Sequence, residues 1–183
     1  MKDGFKVIDA DRHVLEPSDL YKRYLPEKFK NRVRLEGPNQ TVREVDGKPV
    51  SDSALRPGRV TEDHGYIFSS SKRWRECFAD AYANKFDPAS NLRDMEREGI
   101  DVSVLFPTIG LYIMWRDDID PELSAAICRA YNSWLSDYCD YDRKRLYGVM
   151  LLPLQDPARA VEELKYAKEK LGLVGIFWRP NRF

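Results

Sequence analysis

The sequence is poor in cysteine and histidine, with three and two of them among 183 residues. The cysteines, Cys77, Cys128 and Cys139, form no C-x-x-C pair, which argues against a disulfide framework or a zinc ribbon. Cys128 and Cys139 fall in one predicted helix at positions ~16 Å apart along its axis, so they cannot pair while it is intact. We therefore expect buried or half-buried thiols in a reducing compartment.

Net charge and long apolar runs are missing too. Thirty basic and 30 acidic residues cancel, so no global field favours nucleic acid or an anionic membrane. The longest apolar runs, Val102–Pro107 and Tyr147–Leu154, are much too short to span a bilayer. Segment Met1–Lys6 is mostly polar, unlike a signal peptide. These features predict a cytoplasmic protein that binds neither nucleic acid nor membrane.

Phosphate-binding glycine patterns are also missing. No G-x-G-x-x-G or P-loop pattern follows any predicted strand, so nothing would cradle a phosphate group. A nucleotide-binding doubly wound domain is therefore disfavoured, and equilibrium binding of nucleotides would test that conclusion.

One repeated signal predicts three helices. Asp-Pro occurs at 87–88, 120–121 and 156–157, and aspartate suits the cap position while proline suits the first helical position. The first helix should end before Gly99, since glycine favours the left-handed position after a helix. The second carries an apolar stripe over five turns that predicts a buried face: Leu123, Ala126, Ile127, Ala130, Tyr131, Trp134, Leu135 and Tyr138.

Apolar runs alternate with these helices and predict strands at Phe5–Ala10, Asp101–Phe106, Leu146–Leu152 and Leu173–Trp178. The last three are almost continuously apolar, as expected of strands covered on both faces. Strand–helix alternation predicts right-handed βαβ units and a parallel sheet, hence the α/β class. About four such units are present, whereas a complete (β/α)8 barrel has eight and about 250 residues.

The pattern weakens between Pro26 and Tyr82. We interpret 26–82 as a long insertion within one domain, 1–183, because it has too few apolar residues for its own core. Asp46-Gly47 predicts a hairpin turn inside it. Before the insertion, a short helix is expected after Glu16, with Ser18 or Asp19 as its cap.

Ligand-type side chains gather at the end of the first strand. Asp11 and His13, at positions i and i+2, should project to one side of the strand, and Asp9 has the same parity. Carboxylate oxygen plus imidazole nitrogen suits zinc, manganese or iron(II). D-x-H alone is a weak signal, but barrel active sites lie at the carboxyl ends of the strands. Asp11 and His13 are therefore the predicted metal ligands.

The segment Val7–Pro17, VIDADRHVLEP, resembles the first strand of the amidohydrolase-related family that includes aminocarboxymuconate semialdehyde decarboxylase and the resorcylate decarboxylases. Further stretches are similar to the same family: Asn91–Val102, Leu105–Thr108, Arg145–Gly148, Leu152–Pro157 and Trp178–Asn181. The resemblance implies the N-terminal part, about four βα units, of a metal-dependent (β/α)8 TIM barrel with a long insertion after strand 1.

The resemblance also implies a mononuclear divalent metal, with zinc preferred and manganese or iron as alternatives. A pair on strand 1, a histidine on strand 5 and an aspartate on strand 8 hold the metal in this family. Asp11 and His13 match the strand 1 pair, with aspartate where other members have histidine. The strand 5 and strand 8 ligands have no counterpart in these residues.

Three further residues are candidates for the site. Glu16 and Arg179 are the candidate catalytic residues. Glu16 would orient a metal ligand, or it would accept from the start of the following helix. Arg179 would hold a substrate carboxylate in a fork, or pair with a neighbouring loop. Thr108 follows the second predicted strand and would line the pocket as a substrate-binding residue. His64 we interpret as a loop histidine rather than a site residue.

Two functions remain open. The first is a metal-dependent hydrolase or decarboxylase that acts on a small-molecule carboxylic acid or carbonyl compound. The second is a non-catalytic fragment or half-barrel that needs a partner or its missing C-terminal half, because two protein ligands rarely hold a catalytic metal. We expect either a homo-oligomer or a chain whose C-terminal half is missing. The metal content of the purified chain would discriminate between them.

Overall fold

The structure is a computed structural model that describes residues 4–17, 19–36, 41–50, 76–114 and 116–178. Its strands are β1 (Ile8–His13), β2 (Val33–Glu36), β3 (Thr41–Val45), β4 (Lys48–Pro49), β5 (Val102–Phe106), β6 (Leu146–Met150) and β7 (Gly175–Ile176). Its helices are α1 (Leu20–Tyr24), α2 (Ala79–Ala83), α3 (Pro88–Glu98), α4 (Ile109–Ile113), α5 (Pro121–Cys139) and α6 (Pro157–Glu169), with a 3-10 helix at Glu27–Arg32.

Four strands form a parallel sheet in the order β1-β5-β6-β7. Neighbouring strands are connected through helices, as parallel pairing requires. The predicted α/β class is confirmed. The first strand begins and ends three residues later than predicted, so that Asp11 and His13 lie within β1 rather than after it.

The Asp-Pro signals begin helices as predicted. Asp87 accepts from the Ser90 N–H at 2.7 Å and Asp120 from the Leu123 N–H at 2.9 Å. Asp156 caps α6 in the same way. Gly99 ends α3 with φ 73°, the left-handed conformation in which a side chain costs energy.

The start of α1 differs from the expectation. Asp19 stands at the cap position but its side chain makes no capping hydrogen bond, and Ser18 lies outside the described residues. The Leu20 N–H donates instead to the Pro17 carbonyl.

Helix α5 is the centre of the core and packs against α1, β6 and α6. Its predicted stripe is buried, with Ala126 only partly covered, and Tyr131, Trp134 and Tyr138 are confirmed as core residues. Cys128 and Cys139 are buried free thiols, as expected, but Cys77 is exposed. No helix in the described ranges is both long and apolar enough to cross a membrane.

The insertion contributes an antiparallel sheet in the order β2-β3-β4. The predicted hairpin is confirmed: Asp46 and Gly47 both have positive φ, 54° and 70°, as a two-residue turn of type I′ requires. Val33, Val42 and Val45 join the same hydrophobic cluster as α5. Residues 51–75 lie outside the described part, and the boundary 26–82 stays a prediction.

Candidate functional site

A one-residue bulge in β1 decides which side chains share the candidate site. Ile8 and Asp9 pair with Val102 and Ser103, but the next pairs are Arg12 with Leu105 and His13 with Phe106. From Asp9 to Arg12, β1 therefore uses one residue more than β5. An extra residue inverts the alternation of side chains beyond it.

The bulge corrects the prediction that Asp9 shares a face with His13. Asp9 and Arg12 pair with Ser103 and Leu105, which are fully buried on one face of β5. Arg12 donates to Asn91 and Glu98 of α3, so this is the helix-covered face. Asp9 lies 3.7 Å from the Arg12 guanidinium, and its Oδ1 accepts from the Asp11 N–H.

Asp11 and His13 share the other face of β1. They flank Arg12, and alternation places both of them opposite it. Both are exposed, so solvent and solutes reach them. The prediction that these two side chains project together agrees with this geometry, whereas Asp9 serves to order the backbone of the bulge.

The imidazole of His13 is held by a backbone carbonyl of the next strand end. Its Nδ1 lies 2.6 Å from the Pro107 carbonyl oxygen, with Thr108 Oγ1 at 3.5 Å. A carbonyl oxygen only accepts, so Nδ1 carries the proton and the lone pair of the neutral ring is on Nε2. This is the arrangement in which a histidine ligand presents Nε2 to a metal.

Glu16 binds the backbone that directly follows Pro107. Its carboxylate accepts from the backbone N–H groups of Thr108, Ile109 and Gly110, each at 3.0 Å. It thus caps α4, which follows β5, and not α1, which follows Glu16 in the chain. Burial raises the pKa of the Glu16 carboxyl, and the backbone donors at Gly110, Ile109 and Thr108 act in the opposite direction.

Because Gly110 has no side chain, the start of α4 can lie close to Leu151, Pro107 and Glu16. A Cβ there would lie 2.6 Å from Leu151 Cδ1, 3.1 Å from Pro107 Cβ and 3.5 Å from Glu16 Oε1. Neither Gly110 nor the Pro107 carbonyl is among the residues predicted from the sequence. The signal available was a proline and a glycine three residues apart directly after a strand, which marks a tight, backbone-mediated contact.

Among the other candidate residues, Thr108 is buried beside His13 rather than open to solvent. Arg179 and His64 lie outside the described residues.

The donor set fits part of a divalent metal site. Asp11 supplies carboxylate oxygen and His13 an oriented imidazole, both of which zinc and manganese accept. Within the described ranges, no group of three or more His, Cys, Asp or Glu could hold a metal. Two protein ligands are fewer than a catalytic metal usually has, so a complete site would need further ligands.

Comparison with known proteins agrees with this architecture. The amidohydrolase family model matches residues 8–180, and the chain therefore belongs to the amidohydrolase family. A curated relative, the 2-amino-3-carboxymuconate-6-semialdehyde decarboxylase of Dictyostelium discoideum, is 24% identical over 99 residues, which cover 54% of this chain and 27% of the relative.

Two solved structures share the fold. An amidohydrolase from Mycobacterium avium subsp. paratuberculosis K-10 has a TM-score of 0.61 at 21% identity, covering 93% of this chain and 48% of its own. A 5-carboxyvanillate decarboxylase from Novosphingobium aromaticivorans, solved with manganese and 3-methoxy-4-hydroxy-5-nitrobenzoic acid, has a TM-score of 0.58 at 20% identity, covering 96% and 42%. The chain thus spans less than half of each relative, and its fold is part of a (β/α)8 barrel.

Proposed function

We propose that the first strand of this chain supplies two ligands of a divalent metal site. The site would belong to a decarboxylase or hydrolase of small carboxylic acids or carbonyl compounds. Asp11 and His13 are the proposed ligands. Decarboxylation is the favoured reaction, because the curated relative is a decarboxylase by name.

The hydrogen bond between His13 Nδ1 and the Pro107 carbonyl, at 2.6 Å, is the observation that carries this proposal. It leaves Nε2 as the basic nitrogen, on the exposed face that His13 shares with Asp11. Metal-binding histidines almost always donate their other ring N–H to a carboxylate, a backbone carbonyl or water, as His13 does here.

A divalent ion held by Asp11 and His13 would polarise a carboxylate or carbonyl oxygen of the substrate, or lower the pKa of a bound water. The protein's own contributions are separate from that chemistry. Asp11 would supply negative charge, His13 would supply a neutral nitrogen, and Thr108 would fill the space behind the imidazole. Arg179 is proposed to bind the substrate carboxylate through its planar pair of donors.

Titration of the 183-residue chain with manganese(II) or zinc(II), followed by calorimetry, tests the metal site and the choice of metal. We expect one equivalent of metal to bind per chain. Asp11→Ala and His13→Ala should each weaken binding by about tenfold or more, since each removes half of the donors.

Two substitutions serve as controls. Asp117→Ala removes another exposed aspartate, and His64→Ala removes the second of the two histidines; both should leave the affinity unchanged. If His64→Ala weakens binding as much as His13→Ala does, the proposed ligands are wrong; if metal fails to bind at micromolar concentrations, this chain alone does not form the proposed site.

A second function is favoured by the incomplete donor set. The match covers only 27% of the curated relative, and the described residues contain no group of three or more His, Cys, Asp or Glu that could hold a metal. We therefore propose, as the alternative, that the chain acts only together with further strands that supply the remaining ligands. Metal binding that appears only when such strands are joined to the chain would favour this alternative.

A further inference from the structure

The peptide group between Pro107 and Thr108 is held from both sides. Its carbonyl oxygen accepts from His13 Nδ1 at 2.6 Å, and its N–H donates to Glu16 Oε1 at 3.0 Å. The described residues contain no cis peptide bond, so these two groups point in opposite directions from one rigid plane. Fixing the direction of the N–H therefore fixes the direction of the carbonyl.

Neighbouring bonds remove the remaining freedom of this peptide. The Val14 N–H donates to the Phe106 carbonyl at 2.9 Å, immediately before it. Glu16 also accepts from Ile109 and Gly110, immediately after it. The segments 13–16 and 106–110 are thus joined by a continuous set of hydrogen bonds. The imidazole of His13 lies at one end of this set and the carboxylate of Glu16 at the other.

The charge on Glu16 acts through this set. A carboxylate that accepts from an amide N–H makes a stronger hydrogen bond than a neutral acceptor does. It also polarises the amide, so that the carbonyl on the other side becomes a better acceptor. A better acceptor at Pro107 favours the proton on Nδ1 of His13 over the proton on Nε2.

We propose that Glu16 is a positioning residue: through the Pro107–Thr108 peptide it keeps His13 in the tautomer whose Nε2 is unprotonated. Glu16 does this without touching the imidazole or a bound ion. The use of that Nε2 as a ligand rests on the proposed function, but the tautomer is a property of the chain without metal.

Nitrogen NMR of the ¹⁵N-histidine-labelled chain tests the proposal in the absence of metal, at a pH well above the ordinary histidine pKa of about 6.5. With only two histidines, a spectrum of His64→Ala assigns the His13 signals. We expect the Nδ1–H form of His13 to exceed the Nε2–H form by about tenfold or more, the bias that one hydrogen bond supplies. Glu16→Ala and Glu16→Gln should lower that ratio severalfold.

Glu163→Gln is the matched control, because Glu163 is also a glutamate that accepts hydrogen bonds inside the protein, from Arg129 and Asn132, far from His13 along the chain. This substitution should leave the ratio of the two His13 tautomers unchanged. Gly110→Ala gives a second route if the Glu16 variants do not fold: its Cβ would displace the same loop without contacting His13, and it should lower the ratio too.

An unchanged His13 tautomer in the folded Glu16 variants, or in Gly110→Ala if those do not fold, would overturn the proposal. An equal change in Glu163→Gln would overturn it as well, since it would show a response to general destabilisation. Because the measurement uses no metal, a chain that shows the predicted tautomers but binds no manganese would refute only the proposed function.

Discussion

Among single residues, Asn132 does the most to fix the end of β6. Asn132 belongs to α5, and its side chain is fully buried. Its amide nitrogen donates to the Leu151 carbonyl at 2.9 Å and to Glu163 at 2.7 Å, and its oxygen accepts from the Leu151 N–H at 2.8 Å. Leu151 follows the last residue of β6, so Asn132 replaces the strand partner that its backbone lacks.

Replacement of Asn132 by alanine should therefore be costly. It leaves the buried N–H and carbonyl of Leu151 without a partner and removes a donor from Glu163, and we expect a loss of about 2–4 kcal/mol in the free energy of unfolding. Urea unfolding followed by circular dichroism measures it. Asn84→Ala, at an exposed asparagine whose side chain donates to Asp80 within the same short helix and its cap, is the control and should cost about 0.5 kcal/mol or less. Equal losses in the two variants would contradict this account.

Spacing along the sequence predicted side-chain placement only where local geometry decides. The shared face of Asp11 and His13 agrees with the structure, because alternation along a strand depends on neighbouring residues alone. Asp9 was assigned to the wrong face, because the bulge depends on how β1 pairs with β5, which the spacing does not show. The role of Glu16 was missed in part, because its partners are more than 90 positions away in the chain.

At the scale of elements, the β3–β4 hairpin is attached to the segment between α4 and α5 through Arg116 and Asp118. Nη1 of Arg116 donates to the carbonyls of Val45 and Lys48 at 2.7 and 2.9 Å. Asp118 then accepts from Arg116 Nε at 2.9 Å and from Lys48 Nζ at 2.6 Å. These hydrogen bonds and the two cations hold the pKa of Asp118 well below its ordinary value.

This attachment should make part of the stability depend on pH. Because the pKa of Asp118 is lower in the folded chain, its contribution is complete above the ordinary value of 3.8 and is lost as the pH falls below it. Asp118→Asn should therefore destabilise the chain at pH 7 and cost progressively less below about pH 4.

The size of the effect is limited by solvent, because 45% of the Asp118 side chain is exposed. We expect less than about 1 kcal/mol at pH 7. Urea unfolding at pH 7, 5 and 3 measures the pH dependence, with Asp117→Asn as the control for a neighbouring exposed aspartate. A loss for Asp118→Asn that stays constant from pH 7 to pH 3 would contradict the account.

Elements were predicted best where one short motif specifies them. Each Asp-Pro pair begins a helix because both residues act within the first turn. Helix α4 and strand β2 were missed for the opposite reason: α4 has five residues and takes its cap from Glu16, and β2 exists by pairing with β3. Neither would be stable alone, so the local sequence carries little signal for either.

At the scale of the whole molecule, the parallel sheet has two edges among the described residues. Strand β7 pairs with β6 on one side only. Around it Val174, Ile176 and Trp178 are 56%, 42% and 64% exposed. Solved relatives of the same fold are about twice as long, and a complete barrel leaves no strand edge open.

An apolar strand edge of this kind favours pairing with another chain. We expect the 183-residue chain to self-associate with rising concentration, as sedimentation velocity would show. Ile176→Lys should reduce that association, because lysine on an edge strand opposes strand addition, and it costs little where the side chain is already exposed. Val161→Lys is the control: Val161 is 50% exposed but lies on α6, away from the strand edge. If Val161→Lys reduces association as much as Ile176→Lys, the contact is a general apolar one and the edge of β7 is not its cause.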